Sequence, residues 1–156
     1  MNKEKKAADL EILSYLKEYL DDEKVRKMNE YSAHGETSVL SHSLAVAKMA
    51  YYLDRKFGFN SDKKVLLVGA LLHDFYLYDW HDTKLTHKLL EMHGFTHPMM
   101  ACENAVKDFG IDKKTQEVIK CHMWPLTFKH MPRSKEAMLV CMADKICALK
   151  ETFNRW

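Results

Sequence analysis

Residues that turn a chain are scarce here: five glycines and three prolines in 156 residues, less than half the usual share of about 12%. Such a sequence cannot supply the many tight connections of a β-sandwich or barrel. It can supply helices, and its apolar residues recur at helical spacing. Leu10, Leu13, Leu16 and Leu20 mark a first helix over residues 7–21. Asp21-Asp22 and the polar stretch to Thr37 read as a connection with room for a short helix. Leu44, Ala45, Ala47, Met49, Tyr51 and Tyr52 give a second helix, 38–57, a broad apolar face, and Gly58 stops it. Ser61-Asp62 opens a third, 61–75. Its eight-residue apolar run, 65–72, has the length of a buried strand. It reads as a buried central helix because Leu and Ala dominate and the run continues from a capped polar start. A shorter helix, 83–93, closes at Gly94. Pro98 sits in the first turn of the next, 98–109, which closes at Gly110. Asp112 caps 112–122 and Ser134 caps 134–153. The expected architecture is all-α, about seven helices in one domain over 1–156, with 124–133 as the longest irregular stretch.

With 47% of residues apolar and a net charge of +2, the chain is not of the disordered kind. Its lysines and arginines are interspersed with acids, so no stripe for a nucleic acid duplex is evident. The run 65–72 is too short to span a bilayer. The opening Met1-Asn2-Lys3-Glu4-Lys5-Lys6 is no apolar signal core, and a cytoplasmic protein without membrane association is expected. Cys102, Cys121, Cys141 and Cys147 form no C-x-x-C pair, so they read as buried free thiols.

Nine histidines, against eleven aspartates and eleven glutamates, carry the functional signal. His73-Asp74 ends the most hydrophobic helix, where a polar pair must be satisfied, and a metal ion is one way to do so. The dipeptide alone is weak evidence, since His81-Asp82 repeats it. Around it, His42 sits early in the second helix, His97 at the start of a helix, His122 at the end of another, and Asp144 inside the last. Asp144 has Ala137, Cys141, Ile146 and Ala148 about it, and a carboxylate there is costly unless paired or metal-bound. Each residue also has an ordinary reading: His73-Asp74 and His97 as caps, His42 as a satisfied helix-face histidine, His122 as a dipole partner, Asp144 as half of a salt bridge.

In their order and local strings these residues resemble the HD superfamily of metal-dependent phosphohydrolases. The strings are Ser41-His42-Ser43-Leu44-Ala45-Val46-Ala47, Gly69-Ala70-Leu71-Leu72-His73-Asp74 and Met142-Ala143-Asp144-Lys145. The likeness covers about 38–150. With His97 and His122 between Asp74 and Asp144, the order H…HD…H…H…D is similar to the subset holding two metals. The resemblance implies a helical HD-type fold and one ion on His42, His73, Asp74 and Asp144. A second ion would lie on His97 and His122, with Asp74 bridging. Nitrogen and carboxylate donors suit iron, manganese or zinc. Two such ions can generate a bridging hydroxide and clamp an in-line displacement at phosphorus, with His73 and Asp74 at the chemistry.

The implied activity is hydrolysis of a phosphate ester or anhydride of a small molecule, a nucleotide being the favoured class. No Gly-Tyr-Pro follows the ligands, and Ser38 stands where the cyclic-dinucleotide enzymes carry a Glu, which weakens that assignment. A di-iron oxygenase shares the ligand order, and a non-catalytic metal or ligand sensor is the third reading. For binding substrate, Arg133 and Lys129 in the long loop and Lys145 beside Asp144 offer cations. His81 and Trp124 offer rim and wall. The oligomeric state is open, with a homodimer admitted.

Overall fold

A computed structural model describes residues 3–34, 36–77 and 87–153, and of His34 and residues 87–94 the backbone alone. Among the described residues there are seven α-helices: α1 (Lys3–Leu20), α2 (Glu23–Lys27), α3 (Val39–Phe57), α4 (Lys63–Leu72), α5 (His87–Phe109), α6 (Lys113–Cys121) and α7 (Lys135–Phe153). A 3-10 turn, Met28–Glu30, and a small antiparallel hairpin, β1 (Ser32–His34) with β2 (Thr37–Ser38), join α2 to α3. The all-α architecture is as expected.

Local chemistry sets most of the helix ends. The side chains of Ser38, Asp62, Asp112 and Ser134 accept backbone N–H groups of Ser41, Val65, Thr115 and Ala137 at 2.7–3.2 Å, satisfying donors that a helix start leaves free. Gly58 (φ 66°) and Gly110 (φ 59°) close α3 and α5 in the left-handed region, which costs glycine least. Between α3 and α4, the buried Asp54 accepts the Ser61 N–H at 2.9 Å and pairs with Lys63. The N-terminus of α7 is tied to the same link, where Glu136 accepts the Asp62 N–H at 2.8 Å.

Four boundaries or faces differ from the sequence reading. The buried side of α1 carries Ile12 and Leu16, with Ala8, Tyr19 and Leu20 against the core, while Leu10 and Leu13 are exposed. Both stripes have helical spacing. The one chosen leaves Glu11 to accept from Tyr51 and Asp9 to pair with Lys48 at 3.3 Å. The expected helices 83–93 and 98–109 are one helix from His87 onward, with Pro98 inside it. Proline removes one hydrogen bond, to the residue four positions back. That single loss does not end a long helix anchored beyond it by buried Ala101, Cys102 and Ala105. The third helix stops at Leu72, so His73 and Asp74 lie at and just past its end. The connection before α3 contains the hairpin.

α4 is the central element. Every residue from Val65 to Leu72 is buried, and α4 packs on α1, α3, α6 and α7. A β-carbon on Gly69 would lie 2.6 Å from a methyl carbon of Val118 on α6, so glycine permits the two helices to approach this closely. One turn further on, α4 and α6 end at His73 and His122.

Gly69→Ala is expected to lose about 1–3 kcal/mol by overpacking despite alanine's better helix propensity, and Val118→Ala in that background to recover part of it. Urea unfolding of the three variants measures both. Asp54→Ala is expected to cost about 2 kcal/mol through its charged hydrogen bonds. Burial opposes the Asp54 carboxylate, but Lys63 and Ser61 hold its pKa below the usual value. The contribution is therefore full above the unfolded carboxyl pKa near 4 and is lost as pH falls through the lowered folded value. Stability measured against pH is expected to show a gap between wild type and Asp54→Ala that closes on that descent.

Candidate metal centre

Five helices bring six side chains to one buried point. His42 comes from the first turn of α3, His73 from the end of α4 with Asp74 just after it, His97 from α5, His122 from the end of α6 and Asp144 from α7. All six are buried. Asp74 belongs to a turn closed by the Phe75 N–H on Leu72 and the Tyr76 N–H on Asp74. Asn104 pins that turn to α5 by donating to the Phe75 carbonyl at 3.0 Å. Asn104 is seven residues from His97, so the face of α5 that holds the turn also carries the histidine.

The side-chain nitrogens and oxygens converge. His42 Nε2 lies 3.0 Å from Asp144 Oδ1, and His73 Nε2 lies 3.4 Å from Asp74 Oδ2 and 3.6 Å from Asp144 Oδ1. Asp74 Oδ1 faces His97 Nε2 at 3.3 Å and His122 Nε2 at 3.5 Å. The last two nitrogens are 2.9 Å apart. Three overlapping triads, His42–His73–Asp74, His73–His122–Asp144 and Asp74–His97–His122, each have donor atoms within 4.8 Å of one another, close enough to hold a metal ion.

The helix ends also orient the imidazoles. At a helix C-terminus the last carbonyls have no helical partner. His73 Nδ1 donates to the Ala70 carbonyl and His122 Nδ1 to the Ile119 carbonyl, both at 2.7 Å. A carbonyl has no proton to give, so each ring carries its hydrogen on Nδ1 and, when neutral, turns the Nε2 lone pair to the centre. His42 Nδ1 faces Glu151 at 2.9 Å.

The protein's own groups do not satisfy this cluster. Among the described residues His73 Nε2 and Asp74 Oδ1 are buried without a hydrogen-bond partner, a costly state. Burial disfavours charge on His42, but hydrogen bonds to Asp144 and Glu151 outweigh it and hold the pKa near 10. Burial, with His73 and His97 beside it, drives His122 down to about 3. Burial also opposes the Asp74 and Asp144 carboxylates, yet the surrounding histidines keep both well below the ordinary range. A metal cation can take the place of imidazolium protons among nitrogens and carboxylates gathered in this way. Imidazole nitrogen with carboxylate oxygen is a donor set for a transition metal.

The other expected site residues are scattered. Lys145 Nζ donates to the carbonyls of His122 at 2.9 Å and Cys141 at 3.3 Å, which engages its ammonium. Arg133 and Lys129 line a cavity of about 490 Å³ with Lys113, Gln116, Glu117 and Lys120, and none of the six clustered residues lines it. Trp124 is partly exposed after α6, and its carbonyl accepts from the Cys141 thiol. His81 lies outside the described residues. Glu151 was not read from the sequence, although its place seven residues after Asp144, on one face of α7, was the available signal. Tyr76, buried with its ring 5.8 Å from that of His97, adds a wall.

An all-helical domain gathering buried histidines and aspartates from the ends and faces of five helices defines a metal-binding class of protein. The family model of the HD domain matches residues 39–149, and the chain belongs to the HD-domain family. The match contains all six clustered residues. Comparison with curated proteins and with solved structures finds no match. Among the described residues no helix is long and apolar enough to cross a membrane.

Metal-free protein is expected to gain stability when a divalent transition metal is added. A free concentration of 100 Kd contributes about 2.7 kcal/mol, several degrees in Tm for a chain of this size. Thermal scans with manganese, zinc or iron against a chelator control read this directly. An unchanged Tm with all three would remove the metal-binding reading.

Proposed function

We propose that the centre holds two divalent transition-metal ions and that the protein hydrolyses a phosphate ester or anhydride of a small molecule, a nucleotide being the preferred class. The observation that supports two ions is the orientation of Asp74. One carboxylate oxygen faces His73, whose Nε2 also lies near Asp144. The other faces His97 and His122. A first ion would draw on His42, His73, Asp74 and Asp144, and a second on His97 and His122, with Asp74 shared. Iron, manganese and zinc fit these donors. When bound, the ions supply Lewis acidity toward the phosphoryl oxygens and activate water for attack.

The chain's own residues do the rest. Asp74 balances charge on both sides of the centre, and His73 keeps its proton outward on Nδ1, away from the reacting side. Buried Phe75 and Tyr76, directly after Asp74, help exclude bulk water. Among the described residues Arg133 and Lys129 form no ion pair and remain available to an anionic substrate. Lys145 would have to leave two carbonyls to reach one, so we assign it to holding the backbone at His122. Trp124 is the proposed wall for a base or sugar. The single hydrophobic core favours reading the chain as one domain. The four free thiols favour a reducing, cytoplasmic setting.

Asp74→Ala is expected to lose both ions and all hydrolysis. His97→Ala or His122→Ala is expected to lose one ion and to reduce turnover by at least 100-fold. Elemental analysis checks the first effect. Phosphate release from nucleoside mono-, di- and polyphosphates with manganese-loaded protein checks the second. Oxygen consumption by anaerobically iron-loaded protein, with no release of phosphate from any of these, would overturn the hydrolase reading.

A further inference from the structure

We propose that Glu151 is a positioning residue of the metal centre: its carboxylate holds His42 with the proton on Nδ1, so that Nε2 offers its lone pair to the ion shared with Asp144. This rests on the metal-binding reading above. His73 and His122 stand at helix C-termini, where free carbonyls accept their Nδ1–H groups. His42 stands in the first turn of α3. There the free backbone groups are N–H donors, and the carbonyls are engaged in the helix. Its own turn therefore offers no such acceptor, and one must come from elsewhere.

Glu151 supplies it from 109 residues away, with both carboxylate oxygens in range, at 2.9 and 3.1 Å from Nδ1. The Glu151 side chain is only 14% exposed, unlike a solvated surface charge. Asp144 and Glu151 are two turns apart on α7, and His42 lies between them, with Nε2 3.0 Å from Asp144. One helix thus carries both the carboxylate on the inner side of the ring and the one on its outer side. A carboxylate behind a ligating imidazole fixes its orientation and raises its basicity. Glu151 lies two residues beyond the segment that matches the HD-domain family, which ends at 149. The matched segment itself does not supply this support.

The test uses the full chain. Metal-free wild type, Glu151→Ala and Glu151→Gln are titrated with zinc by calorimetry, with circular dichroism confirming helix content. Glu151→Ala is expected to bind one zinc equivalent 10–100-fold more weakly, with the other unchanged. Glu151→Gln, whose amide oxygen still accepts from Nδ1, is expected to stay within about threefold of wild type, by the same reasoning. Long-range nitrogen-15 spectra of the zinc-loaded protein are expected to show the His42 proton on Nδ1 in wild type and its Nδ1–H resonance shifted in Glu151→Gln, where a neutral amide replaces the carboxylate acceptor, a change that a merely structural role would not produce. Equal affinity in wild type and Glu151→Ala, failure of Gln to rescue, or a His42 proton on Nε2 would each overturn the proposal while leaving the metal site standing. Should Glu151→Ala not fold, the spectra of wild type and Glu151→Gln decide, and a His42 Nδ1–H resonance unmoved between them would overturn the proposal. Absence of zinc binding by wild type would bring down the metal-binding reading itself, and this proposal with it.

Discussion

Everything in this structure turns on the burial of four imidazoles and two carboxylates around one point. Burying a carboxylate without a partner is among the most expensive things a small domain can do. Asp74 has imidazoles about it, but its Oδ1 is left without a hydrogen bond. His122 cannot help by taking a proton, because burial and neighbouring histidines hold its pKa near 3. The backbone points the same way. α4 and α6 both end at the cluster, and a helix C-terminus carries partial negative charge that favours a nearby cation. Side chains and helix dipoles are thus arranged to favour positive charge at one point, whether carried by imidazolium protons or by a metal ion.

Gly69 is what lets that arrangement close. Its missing side chain admits Val118, and one turn beyond this contact the rings of His73 and His122 meet edge to face, 4.8 Å between centroids. The scarcity of turn residues acts at a longer range. Long helices bring residues as far apart in sequence as His42 and Asp144 into hydrogen-bond distance. The hydrophobic α4 belongs to the same logic, since its wholly buried length fixes where its polar end must lie.

Much of this was legible in the sequence because it depends on local chemistry. The caps at Asp62, Asp112 and Ser134 and the stops at Gly58 and Gly110 follow from donors and left-handed geometry at single positions. The six clustered residues were legible as a set, through their order and their resemblance to the HD superfamily, although each alone had an ordinary reading. What was not legible depends on tertiary choice. Leu10 and Leu13 have the spacing of a core face, but the stripe of Ile12 and Leu16 is the one that leaves Glu11 and Asp9 their partners on α3. Pro98 marks a break by local rules, yet packing beyond it carries the helix through. Lys145 stands beside Asp144 in sequence, but its ammonium finds the carbonyls of His122 and Cys141. Glu151 required knowing that α7 runs past His42 for two turns.

Membership in the HD-domain family accounts for the metal-compatible core. The central claim is that the cluster exists to bind transition-metal ions, and anomalous diffraction from crystals of protein purified without added metal tests it most directly. The expected result is two anomalous peaks, one within bonding distance of His42, His73 and Asp144, the other within bonding distance of His97 and His122, with Asp74 touching both. A cluster with no anomalous peak even after soaking in manganese or zinc, its histidines and aspartates simply paired with one another, would contradict the account.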